Sequence, residues 1–454
     1  MNYKSISLSI VFYNLFIVVF ILSIPHTQSI RNIAFYSAFL LITYIFIQGK
    51  YYNNSIFKSK ELKKIAIAYI LLSIWIVIGL LFFAENQLYV LKEIKGQWIV
   101  PFLYFLFGMF CYLISFNSNS KLFNHKNIMF IIFFALFIHV LYIDLYALQY
   151  YTEHKELIKR FGGLEGTPDR ANMLTNLLLA LIMTEIVYRI RNKKQLLPLN
   201  NFVLFISFVL TIISSLIEAM RNGSVAVLFL ATSSLVFILY KNQQIKQVYK
   251  YILSSIFIAV LALPFMYNVK TDARWQTLIE SIPIALDTQN NKFWLNSSKY
   301  PSPKLDNGQN VNGSNYLRIA WFKVGIEYSI EKPFGIGYQR NSFGEAMTNK
   351  YNYHARSTSH SGFIDWLLGI GYIGIILWFI IIGLLFRLAI HSYRKNFSYF
   401  SVGLFFVVTG NMSRFMVDPI LRDHMFATFM LIVGIMLTGL LLEDNEKTKT
   451  NKSQ

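Results

Sequence analysis

The sequence has few charged residues and a single cysteine. Only 14% of its 454 residues are charged, whereas soluble domains carry roughly 25%. The lone cysteine, Cys111, excludes an intramolecular disulfide framework and a cysteine-rich metal site. No His-Glu-x-x-His or comparable metal-ligand spacing occurs, so no metal site is predicted. Paired intramembrane carboxylates, which proton-coupled transporters use, are also missing, because Asp144 and Glu185 stand alone.

The sequence is instead rich in long apolar segments. It is 55% hydrophobic and 17% aromatic, with a mean hydropathy of +0.45. Many windows of about 18–22 residues are nearly uncharged, which is the length that crosses a ~30 Å hydrocarbon core. These features predict an all-α polytopic membrane protein with about twelve transmembrane helices. The predicted spans are 6–25, 32–48, 64–84, 98–116, 127–147, 171–189, 201–219, 224–240, 251–268, 361–386, 399–412 and 424–442.

One long polar segment interrupts this pattern and divides the chain. Residues 1–268 are predicted to hold helices one to nine, and residues 269–360 to form a large, mostly helical loop. Helices ten to twelve follow in 361–442, and 443–454 is a short tail.

Charge orients these segments. The net charge of +19 could indicate a nucleic-acid partner, but in a membrane protein cations gather in cytoplasmic loops and near anionic lipid headgroups, so no nucleic acid is expected. Lysines and arginines concentrate in loops 49–64, 189–194, 241–250 and 387–395, which lie on one side together with both termini. The positive-inside rule makes that side cytoplasmic and the large loop external.

Arginines are nevertheless abundant on the predicted outer face. Arginine binds phosphate in a planar, bidentate manner and keeps its charge when partly desolvated. We therefore expect an anionic ligand there. The outer arginines are Arg160, Arg170, Arg221, Arg274, Arg318, Arg340, Arg356, Arg414 and Arg422.

Two of these arginines lie in informative local patterns. Arg221 occupies a tight turn at a membrane boundary, where a charge is costly unless it is paired or functional; the alternative is snorkelling to the interface with Glu218 as partner. Arg318 lies in Tyr316–Trp321, which has the spacing of an amphipathic helix with Arg318 opposite the apolar face. That helix is predicted to end at Glu331–Pro333, and the alternative for Arg318 is a solvated surface position.

His360 directly precedes the tenth predicted span and can exchange a proton near neutral pH. Asp365 is expected to orient its imidazole, although the neighbouring serines could equally form a simple helix cap. His354 is a weaker candidate in the same loop. Supporting roles are considered for Arg170, which follows a glycine-rich turn, and for Arg422 in the last outer turn.

Together these pieces resemble the O-antigen ligase family, which shares its architecture with the O-antigen polymerases. The residue after His360 is Ser361 where the family usually has asparagine, and the Arg318 motif is one residue short. The matching motifs are Gly163–Asn172, Met220–Ala226, Arg318–Trp321, Lys332–Gly337 and Ser359–Gly374.

The resemblance implies a catalytic His360 and an essential membrane-edge Arg221. We expect Arg221 and Arg318, with Arg422 as a further cation, to bind a diphosphate. It implies a multi-pass protein of the bacterial inner membrane with a periplasmic active site. The expected donor is an undecaprenyl-diphosphate-linked glycan and the acceptor lipid A-core. Transfer between them is expected to be inverting, metal-independent and without cofactors, within lipopolysaccharide biosynthesis.

Alternatives stay open. An O-antigen polymerase would use the same donor, and a protein O-oligosaccharyltransferase is a third enzymatic hypothesis. A polysaccharide flippase or transporter is the non-enzymatic one, but transporters more often show internal repeats and midplane charges.

Overall fold

The chain folds into helices in all the parts that the computed structural model describes, residues 3–239, 277–352 and 358–450 with the single positions 255, 266 and 270. Strands are absent from these residues, and their only β-type pairing is an isolated bridge between Lys304 and Asn310. The α-helices are α1 Tyr3–Ile21, α2 Gln28–Gln48, α3 Lys60–Phe82, α4 Gln87–Ile94, α5 Val100–Phe116, α6 His125–His154, α7 Pro168–Asn192, α8 Asn201–Glu218, α9 Arg221–Leu239, α10 Leu278–Leu286, α11 Gly313–Glu331, α12 Ser342–Tyr351, α13 Gly362–Asn396, α14 Tyr399–Phe415 and α15 Asp423–Thr450.

The predicted class, a polytopic helical membrane protein, is confirmed. Eight described helices are long and apolar enough to cross a membrane, and the shorter segments Ser5–Ile21 and Gly223–Leu239 are also apolar. Eleven of the twelve predicted spans coincide with a described helix. The ninth, 251–268, lies outside the described residues.

One boundary was predicted too late. The span predicted at 98–116 begins at Gln87, because α4 continues through a π-helical turn, Lys95–Ile99, into α5. Charged residues at positions 92, 93 and 95 interrupt the apolar run, so hydropathy alone starts the span after them. Glu93 is nevertheless buried, and the extra residue of a π turn is a common feature of functional regions.

Helix α15 forms the centre of the bundle. Its membrane-length portion, Asp423–Glu446, is buried along the whole of its most apolar stretch. It packs most extensively on α5, and α14 packs on α7, α9, α13 and α15. A helix that is apolar on every side requires such surroundings. The outer helices, such as α2 and α3, expose one apolar side instead.

The described part of the large loop, residues 277–352, folds as a small helical unit over one face of the bundle. Helices α10, α11 and α12 pack around a separate apolar core that includes Tyr316, Trp321 and Phe343 and reaches Ile364 of α13. Asn312 caps α11, accepting a hydrogen bond from the Asn315 amide at 3.2 Å. The helix starts before the predicted Tyr316 and ends at Glu331, as predicted.

Candidate functional site

A cavity of about 710 Å³ lies beneath the loop unit. Its walls come from one side of α11, the start of α9, the end of α14, helix α10 and the segment 359–361. It brings together three residues that the sequence singled out: Arg221, Arg318 and His360. The lining residues are Arg221, Val225, Leu278, Leu286, Asn315, Arg318, Ile319, Phe322, Lys323, Ile326, Glu327, Ser359, His360, Ser361, Ser413, Met416 and Val417.

Arg221 is the first residue of α9 and follows a tight turn from α8. Ala219 turns the chain with a φ of 48°. The Arg221 Nη1 donates a hydrogen bond of 2.5 Å to Oδ1 of Asn315, a buried residue of α11. This contact ties the membrane-edge arginine to the loop helix that carries Arg318.

Glu218, the acid considered as a partner of Arg221, has hydrogen bonds with α7. It is fully buried and accepts from Asn172 Nδ2 and Thr175 Oγ1, each at 2.5 Å. Buried carboxylates need such donors, because an unsatisfied buried charge is strongly destabilising. These bonds fasten the α8–α9 turn to α7 and so fix where α9 begins.

Arg318 lies one helical turn after Asn315 on α11 and is half-buried. We predicted it to be opposite the apolar face, and it does lie opposite the buried side of α11, which is formed by Tyr316, Ala320, Trp321, Val324 and Tyr328. The prediction also assigned Phe322 and Ile326 to that apolar face. These two residues, spaced four and eight residues on from Arg318, line the cavity with it instead.

His360 stands at the entry to α13 in a left-handed backbone conformation, with a φ of 60°. Histidine is among the non-glycine residues enriched in that region, and such conformations concentrate at functional sites. Its ring stacks on Trp321, with centroids 5.7 Å apart and planes 19° apart. Trp321 is in turn fixed by an indole hydrogen bond to the Trp294 carbonyl at 3.0 Å.

The polar residues around His360 divide their tasks. Ser361 caps α13 by accepting from the Ile364 amide at 3.3 Å. Asp365 Oδ1 accepts from the Ser359 amide at 3.0 Å and from its hydroxyl at 2.9 Å. We expected Asp365 to orient the imidazole itself; it holds the backbone beside His360 instead. The helix cap formed by Ser361 and the imidazole of His360 are therefore separate features, and the two interpretations of this segment do not exclude each other.

Arg422 is not brought into the cavity. It lines a different, small pocket together with Gln97, Arg340 and Asp365. The proposal that it joins Arg221 and Arg318 on one diphosphate therefore loses its geometric basis. The sequence could not reveal this, because the 418–422 turn folds back towards α4 and α5 rather than over the cavity.

The remaining sequence candidates lie elsewhere. Arg170 is in the first turn of α7, where it interacts electrostatically with His424, and it does not line the cavity. His354 lies outside the described residues, as do Arg274 and Arg356.

Two other outer arginines are engaged by carboxylates. Arg414 is 2% exposed and bonds Asp418 at 2.5 Å. Arg340 contacts Asp423 at 3.0 Å and Glu93 at 3.5 Å. Burial alone would lower the pKa of Arg340, but these two carboxylates outweigh it and raise that pKa above its usual value. Neither side chain is among those that line the cavity.

Sequence reasoning missed two features of the cavity. Asn315, three residues before Arg318 on the same side of a helix, carries the contact to Arg221, and helical spacing was the available signal. Lys323 and Glu327 also line the cavity, further along α11, and the Lys323 Nζ lies 3.5 Å from the Glu327 Oε1. Among the described residues no cluster of three or more potential metal-ligating His, Cys, Asp or Glu side chains occurs.

The architecture defines a polytopic membrane protein with a loop-covered cavity at one face of its bundle. That cavity combines guanidinium groups, an imidazole and apolar walls. A family model described as O-antigen ligase matches residues 206–379, a stretch that includes Arg221, Arg318 and His360. This match supports the O-antigen ligase family that the motifs predicted, and that family implies ligase-type or polymerase-type glycosyl transfer. No curated protein matches the chain.

Proposed function

We propose that the protein is an O-antigen ligase that transfers a preassembled polysaccharide from undecaprenyl diphosphate to lipid A-core. The observation that carries this proposal is the meeting of Arg221, Arg318 and His360 in one cavity at one face of the bundle. We place that face in the periplasm of a bacterial inner membrane, because the described cationic loops, 49–64, 189–194 and 387–395, lie at the opposite ends of the helices.

The cavity suits a lipid diphosphate. Its volume falls within the roughly 300–1,000 Å³ typical of small-molecule sites. From Arg318 to Ile326 the α11 face runs about 12 Å, at about 1.5 Å per residue. Arg221 and Arg318 lie at one end of this face, Lys323 further along it is paired with Glu327, and Phe322, Ile326, Met416 and Val417 provide apolar surface. A charged head with an isoprenoid tail has this same division.

The proposed chemistry uses the diphosphate as a leaving group, so no nucleotide is required. The acceptor hydroxyl oxygen bonds the anomeric carbon as the bond from that carbon to the diphosphate oxygen breaks, with inversion. His360 takes the hydroxyl proton, and the diphosphate keeps the electron pair. Arg221 and Arg318 stabilise the developing negative charge with preorganised donors.

The polymerase reading differs only in the acceptor, which is then a second lipid-linked glycan. Purified protein in proteoliposomes, supplied with undecaprenyl-diphosphate glycan, separates the two readings. We expect product on lipid A-core and none on a lipid-linked acceptor. Chain growth on the lipid-linked acceptor alone would make the protein a polymerase, and no transfer to either would refute the proposal.

A further inference from the structure

Helix α13 is broken in its first half. Gly371 has a φ of 65° and a ψ of −175°, which only glycine adopts readily. Such a break releases backbone N–H and carbonyl groups from the helix ladder. Within a membrane bundle these groups need partners from the protein, because lipid offers none.

The loop unit supplies most of the partners. The Tyr372 amide donates to the Pro333 carbonyl at 3.0 Å, and the Ile336 amide donates to the Leu368 carbonyl at 2.9 Å. From the other side, the indole of Trp75 in α3 donates to the Ile370 carbonyl at 2.7 Å. We name the joined turns 332–337 and 369–372 the glycine clasp.

Close backbone approach makes this joint tight. A Cβ on Gly335, whose φ is 83°, would lie 2.6 Å from the Gly369 carbonyl oxygen. A Cβ on Gly371 would collide with the Pro333 carbonyl. Phe334 adds a stacked contact with Phe83, with ring centroids 5.4 Å apart. The clasp therefore joins the end of α11 to α13 and α3 through backbone atoms.

Two helical segments that carry proposed site residues, here called the arms, extend from the clasp. Helix α11 runs back from it to Arg318, and the first turns of α13 run back to His360. The arms touch along their length, through Ser329 and Tyr372 at 2.9 Å and through the rings of Phe322 and Phe363 at 6.3 Å. At their far end Trp321 stacks on His360. A shift at the clasp would therefore move the guanidinium relative to the imidazole.

We propose that the glycine clasp is a positioning device that sets Arg318 against His360 for transfer. Gly335, Gly371 and Trp75 are its positioning residues, and none of them lines the cavity. The inference rests on the proposed function for its kinetic consequence. Its structural part, the coupling of α11 to α13, stands on the contacts alone.

The test compares Gly335→Ala, Gly371→Ala and Trp75→Phe with a matched control, Gly383→Ala. Gly383 lies on the same helix, and a Cβ there meets nothing within 4 Å. Two quantities are measured: hydrogen exchange of peptides covering 313–337 and 359–372, and kcat for transfer from undecaprenyl-diphosphate glycan alongside the Kd for undecaprenyl diphosphate.

We expect faster exchange in those peptides and not in 399–442, with kcat lowered on the order of 10- to 100-fold. The Kd should change much less, because Arg221 and the apolar walls remain. The control should match the wild type.

Unchanged kcat in Gly335→Ala and Trp75→Phe, despite local opening, would overturn the positioning role, and unchanged exchange would overturn the coupling itself. Trp75→Phe removes one hydrogen bond without a clash, so it decides the matter if the alanine variants fail to fold. If the wild type shows no transfer, the proposed function fails, while the exchange measurement still tests the coupling.

Discussion

Two sets of arginines lie at the loop face of the bundle, and they differ in their surroundings. Arg221 and Arg318 line a cavity of about 710 Å³ beside an imidazole. Arg340 and Arg414 are paired with carboxylates elsewhere on the same face. We propose that arginine serves ligand binding in the first set, whereas in the second set its carboxylate partners give it an architectural role. Counting cations along a chain cannot separate these two sets, whereas the position of each side chain relative to the cavity can.

The largest expected effect belongs to the cavity set. His360→Ala and Arg221→Gln should each lower transfer by ~10²- to 10⁴-fold, because one removes the proton acceptor and the other a positioned cation. Transfer is measured in proteoliposomes at equal protein content. Arg160→Gln, an exposed arginine of the same face, is the matched control and should be fully active. Near-normal transfer by the His360 variant would contradict the proposal that the cavity holding Arg221 and Arg318 is the site of transfer.

The architectural set should show the opposite pattern. Arg414→Met leaves the buried Asp418 without its partner, and breaking a buried pair costs ~3–5 kcal/mol. We expect a lower apparent melting temperature and less protein in the membrane. Adding Asp418→Asn should restore part of the stability, since the stranded charge is removed. A stable Arg414→Met protein with abolished donor binding would move Arg414 into the ligand-binding set.

A subtler change probes how the cavity uses its cations. Arg318→Lys keeps the charge but cannot make a bidentate contact with a diphosphate. Transfer should fall roughly tenfold, the effect of losing ~1.4 kcal/mol of transition-state stabilisation. Lys323→Arg, on the same helix side, serves as the control. Full activity of Arg318→Lys would mean that only charge matters at this position.

The smallest effect is expected at Arg340. Its side chain is 43% exposed and that of its partner Asp423 is 35% exposed. The buried Glu93 is 3.5 Å from the guanidinium and also accepts a hydrogen bond from the Arg340 backbone amide at 3.1 Å, which a side-chain substitution keeps. Water and salt screen such pairs, which typically contribute ~0.2–1 kcal/mol. Arg340→Gln should therefore leave transfer nearly unchanged and lower stability only slightly, as followed by thermal unfolding in detergent. A large, selective loss of transfer would show that the second pocket also takes part in the reaction.

Much of this molecule could be predicted from sequence because apolar runs report membrane helices directly. The same local reading found Arg221, Arg318 and His360, which lie in short motifs beside helix ends. It misplaced Arg422 and the role of Asp365, since both depend on how distant turns pack. It also started the α5 span late, because the buried Glu93 is accommodated through contacts with Arg340 that hydropathy does not register.

The glycine-rich motifs also show that a local sequence pattern does not reveal which distant segment it will contact. Lys332–Gly337 and Gly369–Gly371 each read as a turn or a helix with small residues. Only the folded structure shows that the first segment supplies hydrogen-bond partners for backbone groups that the helix break at Gly371 leaves unpaired within α13. Glycine marks a close approach in a sequence, but not its partner.

The proposed function requires the cavity to face the periplasm, because the proposed lipid-linked donor and lipid A-core acceptor meet only there. A single cysteine introduced at the exposed Gln309, in a Cys111→Ser background, can be labelled with a membrane-impermeant maleimide in intact spheroplasts; Asn53→Cys reports the opposite face. We expect labelling at position 309 without permeabilisation and at position 53 only after it. The reverse pattern would place Arg221, Arg318 and His360 where neither substrate is found, and would contradict the proposed function.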